Sequence, residues 1–186
     1  MRAAILLAAG ASRRFGRRDK LREMLAGRRL LDHAVARARA SGAHRILLVT
    51  SRPAPMPGVT PVRARNANAG LAASLAAGLG ALRPIEREVL IFLADMPFAH
   101  APRLRLRPGV EAVRPHFEGW PGHPMLVRTR AARARLGTGD KGLRSALRTA
   151  FVRGVAAHVF DVDTVDALRS ARRHGSRAAG RRSQQA

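Results

Sequence analysis

The sequence predicts a three-layer α/β/α domain on a mainly parallel sheet, and three observations carry the prediction. Largely apolar runs of strand length stand at 3–8 ("AAILLA"), 45–50 ("RILLVT") and 88–95 ("EVLIFLAD"), without the polar alternation of a half-exposed strand. Helical patterns at 30–40 and 70–82 separate them. The 186 residues, 46% of them hydrophobic, suffice for one well-buried core.

Taken in order, the run at 3–8 ends at Gly10 and opens into a loop rich in glycine and arginine. In 30–40, Leu31, Ala34, Val35 and Ala38 recur at helical spacing, and Ser41-Gly42 closes the helix. A Pro-rich loop follows the strand at 45–50. The small-residue helix at 70–82 leads to the strand at 88–95, which ends in Asp95. Segment 96–108 predicts turn and short helix, 111–115 and 124–129 short strands, 142–150 a helix, and 156–163 a strand. A last helix starts after the cap candidate Thr164. From 175 to 186 no apolar periodicity remains, so the chain divides into a domain at 1–174 and a disordered basic tail at 175–186.

The charge of +23 points toward polyanions, but its distribution weakens that reading. The positive residues are 33 Arg and only 2 Lys, spread along the chain, with one Trp, six Phe and no Tyr to stack on bases. Specific nucleic-acid binding is therefore not expected, although weak adhesion at low salt is. There is no Cys, which excludes disulfides and thiolate chemistry. Residues 2–11 imitate a signal peptide, but "SRRFGRR" stands where a small-residue cleavage site belongs. No apolar run approaches the length of a membrane helix. These features predict a soluble cytoplasmic protein; a monomer is the default expectation, since nothing in the sequence specifies an oligomer.

Ligands of parallel sheets bind beyond the carboxyl ends of strands, which draws attention to the loops after Ala8 and Leu93. The first is neither a Walker A loop nor a dinucleotide fingerprint. It still holds the parts of a phosphate site: Gly10 and Gly16 for tight turns, and Ser12, Arg13, Arg14 and Lys20 for donors and charge. In so arginine-rich a chain, Lys20 suggests a need for a compact charge on a flexible stem.

"LLAAGASRRFGRRDKL" resembles the signature of the MobA-like nucleotidyltransferases, through Leu7, Ala8, Ala9, Gly10, Ser12, Arg14, Gly16 and Lys20, with Phe15 in the usual Met position. The segments "NANAGLAASLAAGL" at 66–79, "LADMPF" at 93–98, "RPHFEGWPGHPML" at 114–126, "GDKGLR" at 139–144 and "DVDTVDAL" at 161–168 are similar to further family motifs, in family order. Val165 departs from the family's Pro.

The resemblance implies a Rossmann-like nucleotidyltransferase fold and transfer of a nucleoside monophosphate from an NTP to a phosphorylated acceptor, releasing pyrophosphate. It further implies nucleotide binding by Ala8, Ala9, Gly10, Ser12, Arg14, Lys20, Gly70 and Ser74, catalytic roles for Arg14, Lys20 and Asp95, and acceptor binding by Asp140. Mg²⁺ would be held by Asp95 and Asp163. Asp161 rivals Asp163, because residues two apart on an extended segment face the same way. The order Ala8-Ala9-Gly10 is the pattern of the cytidylyl members, which points to CTP and a molybdopterin-type cofactor, with a recipient molybdoenzyme as partner. GTP or another small phosphorylated acceptor is the alternative, and a basic nucleic-acid-binding module that keeps the fold without catalysis is a third reading. Each residue also has a plainer role: Asp95 could end its strand, Asp163 favour a helix dipole, Asp140 order a turn and Ser74 simply pack.

Overall fold

A computed structural model describes residues 1–10, 15, 19–101, 103–139, 142–143 and 147–182, with 174–182 as backbone only. The main sheet contains β1 (Arg2–Leu7), β4 (Arg45–Thr50), β5 (Thr60–Arg63), β6 (Glu88–Leu93), β7 (Ala112–Phe117), β9 (Met125–Arg128) and β10 (Thr149–Arg153), in the order β10-β7-β9-β6-β1-β4-β5. The two-residue β8 (Trp120–Pro121) pairs with β7, and a separate hairpin is made by β2 (Met24–Leu25) and β3 (Arg28–Arg29). Pairings β1–β4, β1–β6, β4–β5 and β7–β10 are parallel, while β9 runs antiparallel to both β6 and β7. Two reversals restore direction, so β7 and β10 end at the same edge of the sheet as β1 and β6.

Strand alternation builds the two cores. Ile5, Leu7, Leu47 and Val49 pack with Leu75 and Leu79 of α2 (Leu71–Gly80), and Ala132 of α3 (Thr129–Ala134) joins the same face. Ala4, Leu6, Ile46 and Leu48 point the other way, onto Ala34, Val35 and Ala38 of α1 (Leu30–Arg39). Both faces are covered, so the predicted three layers and mostly parallel sheet are present. Gly78 lets α2 approach closely, since a Cβ there would stand 2.8 Å from Ile5 Cγ2.

Helix α4 (Val165–Arg182) begins where Thr164 Oγ1 accepts the Ala167 N–H at 3.1 Å. Leu168 and Ala171 then pack with Leu25, Leu30 and Val162. The helical backbone enters the segment 175–182 that the sequence assigns to a disordered tail. Residues 183–186 lie outside the described residues.

Three expectations of secondary structure are corrected. No helix occurs among the described residues of 142–150: 142–143 form a turn and β10 begins at Thr149, because pairing with β7 outweighs the helical propensity of Leu, Arg and Ala. Residues 144–146 lie outside the described residues. The strand over 156–163 is a 3₁₀ turn at Ala156–His158 followed by an extended connection. The stretch 96–108 contains turns and no helix among the described residues.

At the opposite edge of the sheet, the buried Glu86 carboxylate receives Arg45 Nε at 2.8 Å and Nη2 at 2.7 Å, and the Arg83 N–H at 2.6 Å. Burial alone would raise its pKa. The hydrogen bonds from Arg45 and Arg83 and the charges of Arg45 and His44 outweigh burial, so the carboxyl lies below its ordinary value. Its contribution to stability is therefore complete above that value and is lost as pH falls through the lowered one. Glu86→Ala strands a partly buried guanidinium and is expected to cost about 3–5 kcal/mol in urea unfolding at neutral pH, with the difference from wild type shrinking in acid.

Candidate active site

The site lies at the carboxyl ends of β1 and β6, where an open cleft of about 490 Å³ separates the loop after β1 from the start of α2. Ala8, Ala9 and Gly10 form one wall, with the Ala8 N–H held by the Val49 carbonyl at 2.8 Å. Gly10 is not in a left-handed conformation, and a Cβ there would touch nothing within 4 Å. Its missing side chain thus leaves room in the cleft.

The facing wall carries Gly70, Leu71 and Ser74. Gly70 precedes α2 with φ of 99°, a conformation that favours glycine, and it turns the chain into the helix, whose first residue Leu71 also lines the cleft. Ser74, one turn on, is buried and still lines the cleft.

Lys20 reaches the floor from a 3₁₀ turn, Lys20–Arg22, capped by Asp19, whose Oδ1 accepts the Leu21 N–H at 3.0 Å. Leu21 is buried beneath it, which fixes the turn. Asp19 is a positioning residue missing from the predicted set, although an Asp before a short helical turn is a readable capping signal.

The Lys20 ammonium donates to Asp95 Oδ2 at 2.8 Å and to Asp163 Oδ1 at 2.6 Å, and its side chain is only 12% exposed. Burial pulls its pKa down, but the charge of Asp95, the hydrogen bonds to Asp163 and Asp95, and the charge of Asp163 together raise it above the ordinary value. Lys20 is charged at neutral pH. The two acids that the sequence assigns to a metal are thus brought to one point, by a residue expected on phosphate.

Two anchors position Asp163. Upstream, the buried His158 ring accepts the Val155 N–H at Nδ1 (3.0 Å), so Nε2 carries the hydrogen and donates to the His100 carbonyl at 3.1 Å. Downstream, the Val162 N–H donates to the Asp95 carbonyl at 2.9 Å. Asp161, on the same stretch, couples to the cluster by charge: desolvation, then Asp163 and Asp95, raise its pKa against the pull of Lys20. Ser12, Arg14 and Asp140 lie outside the described residues.

A divalent cation fits this donor set. Asp95 Oδ1 is buried without a hydrogen-bond partner among the described residues, which leaves an oxygen for a cation. No group of three or more His, Cys, Asp or Glu able to hold a metal occurs among the described residues. Mg²⁺-type sites need only one or two carboxylates, with water and substrate phosphate completing the shell. Among the described residues, no helix is long and apolar enough to cross a membrane.

A cleft beyond the carboxyl ends of parallel strands places the chain in the class of α/β proteins that bind their ligands at that edge of the sheet. The chain belongs to the family with the MobA-like NTP transferase domain, whose model matches residues 4–159. Nucleotidyl transfer from a nucleoside triphosphate is that family's chemistry. No curated protein matches the chain in sequence. Among solved structures, it is similar to Rv0371c from Mycobacterium tuberculosis H37Rv, with 26% identity over 92% of this chain and 97% of that one and a TM-score of 0.74. Rv0371c has also been solved in complex with manganese. A nucleotidyl transferase from Methanothermobacter thermautotrophicus (Mth528) shares 20% identity over 96% and 99% of the two chains, TM-score 0.79. Molybdopterin-guanine dinucleotide biosynthesis protein A from Archaeoglobus fulgidus shares 18% over 95% and 100%, TM-score 0.66.

One site residue had a motif in the sequence but no assigned role. Gly122 lies against the turn that leads to Asp163: its N–H binds the Pro115 carbonyl at 2.7 Å, and the next N–H, of His123, binds the His158 carbonyl at 2.7 Å. A Cβ on Gly122 would collide with that carbonyl and stand 2.8 Å from His158 Cβ. Gly122→Ala is therefore expected to destabilise the fold by about 1–3 kcal/mol and to lower nucleotide transfer by moving Asp163. Thermal unfolding and pyrophosphate release would measure the two effects.

Proposed function

We propose that this protein transfers CMP from CTP to the phosphate of a molybdopterin-type cofactor, with release of pyrophosphate and dependence on Mg²⁺. The observation that carries this reading is the convergence of Lys20, Asp95 and Asp163 at a cleft walled by the β1 loop and the start of α2. An oxygen of the acceptor phosphate attacks the α-phosphorus, a new P–O–P link forms, and the bond to pyrophosphate breaks. No covalent enzyme intermediate is needed, because the attacking oxygen belongs to the acceptor. Charge builds on the transferring group and the leaving pyrophosphate, so catalysis consists of positioning and neutralisation.

In this reading the N–H groups at the start of α2 and those of Ala8–Gly10 hold the nucleotide, with Ser74 as a hydroxyl donor within reach of the sugar or base. Arg14 grips phosphate with its planar fork, and Lys20 stabilises the departing pyrophosphate. Asp95 and Asp163 hold the Mg²⁺, which supplies Lewis-acid neutralisation of phosphate oxygens. The manganese complex of Rv0371c supports a divalent cation in this fold. Asp140 contacts the acceptor, and a recipient molybdoenzyme takes the product. The enzyme acts as a cytoplasmic monomer, and residues 175–186 stand apart from the chemistry.

The choice of CTP rests on the residue type at Ala9, which is among the residues lining the cleft: a methyl group there would narrow the space where the base is read, in favour of a pyrimidine. The second reading is the same chemistry with GTP or another small phosphorylated acceptor, favoured by the likeness to the Archaeoglobus protein, whose name carries a guanine dinucleotide.

Pyrophosphate release with extracted cofactor, Mg²⁺ and each NTP in turn separates the readings. CTP-dependent release is expected, release with GTP alone contradicts the nucleotide assignment, and release with other acceptors only favours the second reading. Lys20→Arg and Asp95→Asn are each expected to lower the rate on the order of a hundredfold; an unchanged Asp95→Asn rate contradicts the metal assignment. Deleting residues 175–186 is expected to leave transfer intact while weakening salt-sensitive retention on nucleic acid.

A further inference from the structure

The ammonium of Lys20 occupies the position between two carboxylates that a divalent cation would need. It donates to one oxygen of each acid, from a side chain that is only 12% exposed. A doubly charged ion on either carboxylate comes within a few ångström of the ammonium and is repelled in a partly desolvated site. Two acids and one ammonium carry a net charge of −1, whereas the acids alone carry −2. The ammonium therefore both blocks the position and halves its attraction for a cation.

The anchoring of Lys20 permits exchange. Its backbone is fixed by the Asp19 cap, by the Glu23 N–H on the Lys20 carbonyl at 3.1 Å, and by buried Leu21. Beyond that fixed backbone, the four-carbon stem is the flexible part of the residue. Lys20 also lines the cleft, so a triphosphate bound there would offer the ammonium a second anionic partner within the swing of its stem.

We propose that Lys20 is an exchangeable occupant of the metal position: it holds Asp95 and Asp163 together, keeps divalent cations out of the nucleotide-free site, and releases the acids when a triphosphate takes its ammonium. Metal and nucleotide then bind as a coupled pair, each raising the affinity for the other by the same factor. This inference rests on the assignment of the metal to Asp95 and Asp163.

Mn²⁺ binding to nucleotide-free protein, read from the electron paramagnetic resonance signal of free Mn²⁺, tests it without reference to turnover. Lys20→Met is expected to bind Mn²⁺ about tenfold or more tightly than wild type, and adding Asp95→Asn to that variant is expected to abolish the gain. Equal or weaker binding by Lys20→Met overturns the exchange. Binding by Lys20→Met that ignores Asp95→Asn overturns the metal assignment itself. Wild-type protein gives a second readout, because the chain has only two lysines, Lys20 and Lys141, and ¹⁵N-labelled lysine ammonium signals are few. Mg²⁺ alone should leave the Lys20 signal in place, and Mg²⁺ with CTP should shift it; displacement by Mg²⁺ alone, or no shift with both, contradicts the proposal.

Discussion

The pairing of one ammonium with two carboxylates organises this molecule's functional end. Lys20, Asp95 and Asp163 lie 75 and 143 positions apart along the chain, yet Nζ sits within 2.8 Å of both acids. A chain can hold three charges this close only when each is carried by a segment that is fixed independently. A 3₁₀ turn seated on Leu21 carries the lysine, the end of a buried strand carries Asp95, and a connection pinned at His158 and Val162 carries Asp163. With an ammonium among the acids, the cluster avoids the like-charge repulsion that two carboxylates alone would meet.

The sheet explains why those segments meet. Parallel strands β1 and β6 are neighbours with matched register, Leu7 beside Leu93, so the loops leaving them start side by side. Strand β9, antiparallel to both β6 and β7, returns the chain to the amino edge, so that β10, like β7, ends on the functional edge. That topology delivers 154–163 to the far side of Asp95, where the Val162 N–H locks onto the Asp95 carbonyl. Gly122, in the β8–β9 connection, packs against His158 of this segment so tightly that there is room for a hydrogen and not for a Cβ.

Much of this was legible locally. Apolar runs marked β1, β4 and β6, small-residue periodicity marked α1 and α2, and Asp95 at a strand end marked the edge to search. Ala8, Ala9, Gly10, Gly70 and Ser74 do line one cleft with Lys20 and Asp95. What escaped depended on tertiary partners. Residues 149–153 become a strand only because β7 offers an edge, and 156–158 leaves the sheet because His158 turns inward to bond Val155 and His100. Asp163 and Asp161 are equivalent by spacing, and the hydrogen bond to Lys20 distinguishes them. Likewise, no local pattern places an ammonium on the acids that could hold a metal.

The most direct test is a crystal structure with Mn²⁺ and a non-hydrolysable CTP analogue, using anomalous scattering to locate the metal. The account predicts an anomalous peak bound by Asp95 and Asp163, with Lys20 Nζ moved from the acids to a phosphate oxygen. A peak elsewhere, or Lys20 still joining both carboxylates beside a bound nucleotide, would contradict it.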